Sequence, residues 1–96
     1  KILLITAMQR YDSAVVLYPV NSKGYPIKES TNTTLEDFAN MVITYGNVYA
    51  IPVLDMFHES GVNKYNISSY CDDGLHPTRI GFQRLCWKIM EALKEL

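Results

Sequence analysis

VYAIPVL, residues 48–54, is apolar or aromatic at every position and interrupted only by Pro52. A run of this length, β-branched at Val48, Ile51 and Val53, suits a strand covered on both faces more than one with a solvated side. Pro52 has no N–H to give a ladder, so it places the strand near an edge or marks an irregularity. KILLIT, residues 1–6, has the same character. Upstream of VYAIPVL, Thr34 with Asp37 three residues on has the pattern of a capping box. Leu35, Phe38, Met41, Val42 and Tyr45 follow at helical spacing, and Gly46 and Asn47 are expected to stop that helix. The order strand, long connection, helix, strand predicts a parallel pair joined by a right-handed crossover.

The other segments read more plainly. Residues 8–33 lose periodicity among polar, Gly and Pro residues, broken only by AVVLY, and residues 55–70 read as a second loop. From Thr78 to Leu96 a closing amphipathic helix carries Ile80, Leu85, Cys86, Ile89, Met90 and Leu93 on one stripe. Two parallel strands and two helices leave apolar faces and strand edges uncovered. The fold class is therefore α/β, with residues 1–96 as a single unit that forms part of a larger parallel-sheet domain. The sequence is expected to continue upstream of Lys1, and the fragment to associate with that part or with itself.

Ninety-six residues, 48% hydrophobic and 20% charged, describe one folded unit with a modest core. A net charge of -1, without a basic run, gives no footprint for nucleic acid or anionic lipid. The apolar runs are too short to span a membrane. Cys71 and Cys86 are expected to be free thiols, Cys86 as a small hydrophobe on the helix stripe, which leaves the redox compartment and the location open.

DDGLHPTRIGF, residues 72–82, carries the chemistry. In an Asp-x-x-His turn the carboxylate of Asp73 can curl back to one imidazole nitrogen of His76. That fixes the tautomer and stabilises the imidazolium formed when the other nitrogen takes a proton from a nucleophile. Gly74 closes the turn, and Pro77 pre-sets the backbone for the helix. The bland reading of the same residues is a turn followed by a helix opener.

DGLHPTRIGF resembles the last conserved block of the SGNH/GDSL-type esterases and acylhydrolases. ITAMQR is similar to that family's strand ending in a Thr-x-x-x-Arg-like loop, and TYGNVYAIPVLDMF to its strand ending in aspartate. The resemblance implies a three-layer α/β/α sandwich, of which this chain is the C-terminal portion. It also implies the roles of acid for Asp73 and base for His76, an ester substrate such as an acetylated carbohydrate, and no cofactor or metal. The family's Gly-Asp-Ser block and Gly-x-Asn-Asp block, which supply nucleophile and oxyanion donors, are not in these 96 residues. Asp12-Ser13 lacks the preceding glycine and reads as plain loop. The 96-residue chain alone is expected to be inactive. The rival class is a non-catalytic α/β binding or assembly module.

Other residues have quieter readings. Asp55 could orient a base but more often caps a loop, and Asp72 reads as solvated. His58 beside Glu59 suggests a metal site with His76 only weakly, for lack of ligands at the right spacing. Tyr11, Tyr18 and Tyr25 could line a sugar surface or simply pack. Asn32 and Asn66 open glycosylation triplets too short to carry weight.

Overall fold

The computed structural model describes residues 1–11, 20, 23, 27 and 33–96. Within them lie two short strands and four helices, a mixed α/β unit: β1 Leu4–Ile5, α1 Leu35–Val48, β2 Val53–Leu54, α2 Met56–Glu59, α3 Ile67–Tyr70 and α4 Arg79–Lys94. The strands pair in parallel, with Leu4 opposite Val53 and Ile5 opposite Leu54. Leu4 N–H donates to Pro52 O and Thr6 N–H to Leu54 O, each at 3.0 Å. The predicted parallel pairing is present. Asp12, Ser13, Tyr18, Tyr25, Asn32 and the AVVLY stretch lie outside the described residues.

The strands are shorter than their apolar runs, and β1 is not covered on both faces. Ile2 and Ile5 are exposed, although α1 packs on the strand pair. The first half of VYAIPVL is not strand. Val48 ends α1, and Tyr49, Ala50 and Ile51 form its stop.

α1 opens as its sequence predicts. Thr34 Oγ1 accepts from Asp37 N–H at 3.1 Å and Asp37 Oδ2 accepts from Thr34 N–H at 2.8 Å, a complete capping box. Its end differs from expectation, since Gly46 and Asn47 stay helical. Ile51 N–H bonds Gly46 O at 2.8 Å and Ala50 N–H bonds Asn47 O at 3.3 Å, with Ala50 at φ 55. These two bonds across a left-handed residue make a Schellman stop, built here on alanine. Gly46 serves a different need, because a Cβ there would lie 2.2 Å from Val53 Cγ2. The missing side chain brings α1 against β2.

The second predicted loop holds two single-turn helices. Asp55 caps α2 by accepting from His58 N–H, and α3 follows Asn66. Isolated turns of four residues are unstable, so caps and burial of Met56 and Phe57 hold α2 in place. Among the described residues Ala39, Leu54, Met56, Phe57, Val62 and Cys71 are the buried apolar ones, four of them within residues 56–71.

α4 faces inward differently from its apolar stripe. Gly81, Arg84, Leu85, Lys88, Ile89 and Ala92 are its covered or half-covered positions, while Ile80, Phe82, Cys86, Met90 and Leu93 are exposed. Arg84 lies on the inward side: its Nε donates to Ser60 O at 2.5 Å and its guanidinium lies 5.4 Å from the Tyr70 ring. This charge-assisted bond to the backbone of fully buried Ser60 holds the Arg84 side of α4 inward. Cys86 is thus exposed rather than packed, and neither cysteine is in a disulfide. On α1, Phe38, Met41, Tyr45 and Val48 form a second uncovered apolar stripe at helical spacing. No described helix is long and apolar enough to cross a membrane.

Candidate functional site: two Asp-x-x-His turns

Cys71 and Pro77 pair as an isolated antiparallel bridge and close the loop 72–76 at its base. Inside the loop, Asp73 Oδ1 accepts from Leu75 N–H at 2.9 Å and from His76 N–H at 2.7 Å. With one oxygen tied to its own turn, the carboxylate presents the other to the ring, and Oδ2 stands 2.5 Å from His76 Nδ1. Gly74, at φ 78, makes the turn tight enough for this. The His76 ring, then the backbone N–H groups of His76 and Leu75, hold the Asp73 carboxyl well below the usual carboxylate range. An ionised acceptor at that distance requires Nδ1 to carry the proton, which leaves the lone pair of a neutral ring on Nε2. Nε2 has no hydrogen-bond partner among the described residues, and the His76 side chain is 77% exposed.

The rest of the motif has structural duties. Pro77 lies one residue before the cap and does not open α4 itself. Thr78 is the N-cap: its Oγ1 accepts from Gly81 N–H at 3.2 Å, and its own N–H donates to Tyr70 O at 2.8 Å. Gly81 lies against α3, where a Cβ would be 2.2 Å from Tyr70 O. Cys71 is buried; burial first, then Asp73 and Asp72, push its thiol up, so it stays protonated at neutral pH. Asp72 is exposed, as its sequence reading has it. After these duties are assigned, the feature of the motif left over is the open nitrogen of His76.

A second Asp-x-x-His turn, Asp55 to His58, repeats the local geometry. Asp55 Oδ1 accepts from His58 N–H at 3.2 Å, and Oδ2 stands 2.6 Å from His58 Nδ1. Here Nε2 is also occupied, by Glu36 Oε2 of α1 at 2.9 Å. Glu36 meets Lys23 through its other oxygen at 3.2 Å. A ring with carboxylates at both nitrogens is bound best as the imidazolium, with no lone pair to act as base. The Glu36 bond first, then the bond and charge of Asp55, raise the His58 pKa against the opposing effect of burial. His58 reciprocally lowers the Glu36 pKa, with Lys23 contributing. Asp55 therefore caps α2 and clamps His58, and its Oδ1 also takes the Thr6 hydroxyl at 3.1 Å. Glu59, beside His58 in sequence, is exposed on α2. The spacing Asp55-Met56-Phe57-His58 was the sequence signal for this cluster; Glu36, 22 residues away, had none.

This clamp has a pH signature. A raised His58 pKa contributes stability that is fully present below its ordinary value of 6.5 and is lost as pH rises through the folded value. A lowered Glu36 pKa contributes stability present above its ordinary value of 4.5 and lost as pH falls through the folded value. Between those ordinary values both contributions are in place. Urea midpoints of the wild type and His58→Gln are expected to differ most near pH 5.5 and to converge as pH rises beyond the ordinary histidine value. A constant difference through that rise would show that His58 is not charged in the fold.

Of the remaining sequence candidates, Tyr11 is half-buried and donates its hydroxyl to Gln9 Oε1 at 2.7 Å. Asn66 is committed to its own turn: its amide donates to Gly61 O and its oxygen accepts from Asn63 N–H, both at 2.8 Å. Comparison with protein-family models, with curated proteins and with solved structures finds no match to this chain.

Proposed function

We propose that this chain supplies the acid and base of a serine ester hydrolase, with His76 as general base and Asp73 as the group that orients it. The observation that carries the reading is the Asp73–His76 turn, in which one nitrogen is committed to a carboxylate and the other is open to solvent. The reaction is acyl transfer to water. His76 Nε2 takes the proton of a serine hydroxyl as its oxygen attacks the ester carbonyl, then returns that proton to the leaving alcohol. In the second half His76 takes a proton from water, whose oxygen attacks the acyl-serine, and returns it to the serine. The serine and the oxyanion donors come from a Gly-Asp-Ser and a Gly-x-Asn-Asp segment outside these 96 residues. An acetylated carbohydrate is the substrate that the family resemblance favours.

The corresponding fold is a three-layer α/β/α sandwich in which β1 and β2 belong to a wider parallel sheet. What supports it is the short strand pair, two-stranded among the described residues, and the exposed apolar stripes on α1 and α4. The test of function is hydrolysis of p-nitrophenyl acetate by this chain joined in one polypeptide to a segment bearing the two missing blocks. Turnover that needs both the serine and His76 supports the proposal. Serine-dependent turnover indifferent to His76 sinks it.

A non-catalytic α/β binding or assembly module is the second reading, and it expects the isolated chain to be monomeric. The hydrolase reading expects the isolated chain to associate, because Phe38, Met41, Tyr45, Met90 and Leu93 are exposed apolar residues. Sedimentation velocity is expected to show concentration-dependent association that Met90→Lys weakens. A monomer at every concentration, with cooperative unfolding, would contradict that expectation. The readings part also at turnover, which the module lacks in any context.

A further inference from the structure

Residues 8–11 leave β1 without regular structure, yet they are half-buried. Gln9 Nε2 donates to Phe57 O at 3.0 Å, and Tyr11 Oη donates to Gln9 Oε1 at 2.7 Å. The backbone N–H of Tyr11 donates to Gly74 O at 2.8 Å. One end of this series is anchored, because Phe57 is buried and its N–H donates to Thr6 Oγ1 at 3.0 Å. The other end is the peptide unit between Gly74 and Leu75. Its oxygen takes the Tyr11 N–H, and its N–H is the group that donates to Asp73 Oδ1. A peptide unit is planar, so holding its oxygen aims its N–H. Tyr11 thus sets the direction of one of the bonds that fix the Asp73 carboxylate toward His76.

Gln9 is suited to hold Tyr11 in place, because a primary amide offers a donor and an acceptor at one tip. The donor reaches a backbone carbonyl and the acceptor takes a phenol. Glutamate would bring a carboxylate against Phe57 O, and methionine would fill the space with neither group.

We infer that Gln9 is a positioning residue for the Asp73–His76 pair, acting through Tyr11 on the Gly74–Leu75 peptide plane. The inference rests on that pair being the acid and base proposed above.

The test uses the 96-residue chain and needs no turnover. Gln9→Met keeps the volume and removes both hydrogen bonds. It is expected to speed amide exchange at Leu75 and His76 by roughly five- to tenfold, about the worth of one net hydrogen bond. The Asp73 carboxyl carbon, followed by NMR, is expected to begin protonating at higher pH than in the wild type. The global urea midpoint and the Glu36 titration serve as controls for folding. A role in packing alone predicts that methionine restores wild-type exchange and titration, and that result would overturn the inference. If Gln9→Met does not fold, Tyr11→Phe carries the test. It removes only the hydroxyl and is expected to change the same readouts in the same direction by less, and no change would again overturn the inference. Failure here leaves the ester-hydrolysis reading standing, because only turnover tests that. Loss of that reading, with exchange and titration shifted as expected, would leave Gln9 positioning a structural pair.

Discussion

Replacing His76 by alanine, in a protein joining this chain to the serine-bearing segment, is expected to lower ester turnover by roughly a million-fold. In the proposed reaction the ring carries the proton in both halves, and it is the one imidazole of the 72–76 loop. Asp73 accepts from the ring with one oxygen and from two backbone N–H groups with the other, so it is held as an acceptor. Asp73→Asn is expected to cost less, about ten-thousand-fold, because the base survives while its tautomer and direction are lost. The fold should tolerate the histidine change, since the side chain is exposed and the turn is closed by backbone bonds and the Cys71–Pro77 bridge. Kinetics with p-nitrophenyl acetate, with circular dichroism as the folding control, measures both. A His76→Ala protein within tenfold of wild type would place the base elsewhere.

The second large effect is on stability, at Gly81. Alanine in a helix interior is ordinarily favoured over glycine by about 1 kcal/mol, an upper bound for Gly81 in the first turn of α4. At Gly81 the added Cβ would sit 2.2 Å from Tyr70 O and 3.0 Å from Pro77 Cβ, so either α4 moves away from α3 or the loop base shifts. Forced overpacking costs about 1–3 kcal/mol, occasionally more, and it wins here because the obstacle is a backbone carbonyl that cannot rotate aside. A net loss of about 1 kcal/mol lowers the melting temperature of a chain this size by roughly 6 °C. Gly46→Ala is the informative comparison, because its nearest obstacle is a valine methyl, also at 2.2 Å, that can give. Thermal unfolding of both variants should therefore place Gly81→Ala below Gly46→Ala. Equal melting temperatures would mean that α4 does not approach α3 as closely as the structure has it.

These sites show what the sequence reveals and what it hides. The capping box of Thr34 and Asp37 and the Asp73–His76 turn were legible because each is complete within four residues. The parallel pairing of β1 and β2 was legible from element order, although seven apolar residues foretold a longer strand than two. The end of α1 was misread because glycine and asparagine are usual stops, whereas the chain ends the helix on Ala50 and spends Gly46 on a close approach. The single turns α2 and α3 have too few residues for a periodic signal and exist through caps and burial. The face of α4 was misread for a related reason. Its apolar stripe was clear, but the side turned inward carries Arg84, which reaches a carbonyl 24 residues away. The clamp on His58 depends likewise on Glu36, which is distant in sequence.

The two histidine turns make opposite demands on their rings, and that difference can be read directly. The most direct measurement is 15N NMR of the imidazole nitrogens in the 96-residue chain, at a pH where His76 is neutral. His76 is expected to carry its proton on Nδ1 and to have a bare Nε2, the tautomer that Asp73 selects and that a general base requires. Finding the proton on Nε2 instead would contradict this, because Asp73 would then not be orienting the ring and the nitrogen facing solvent could not accept a proton.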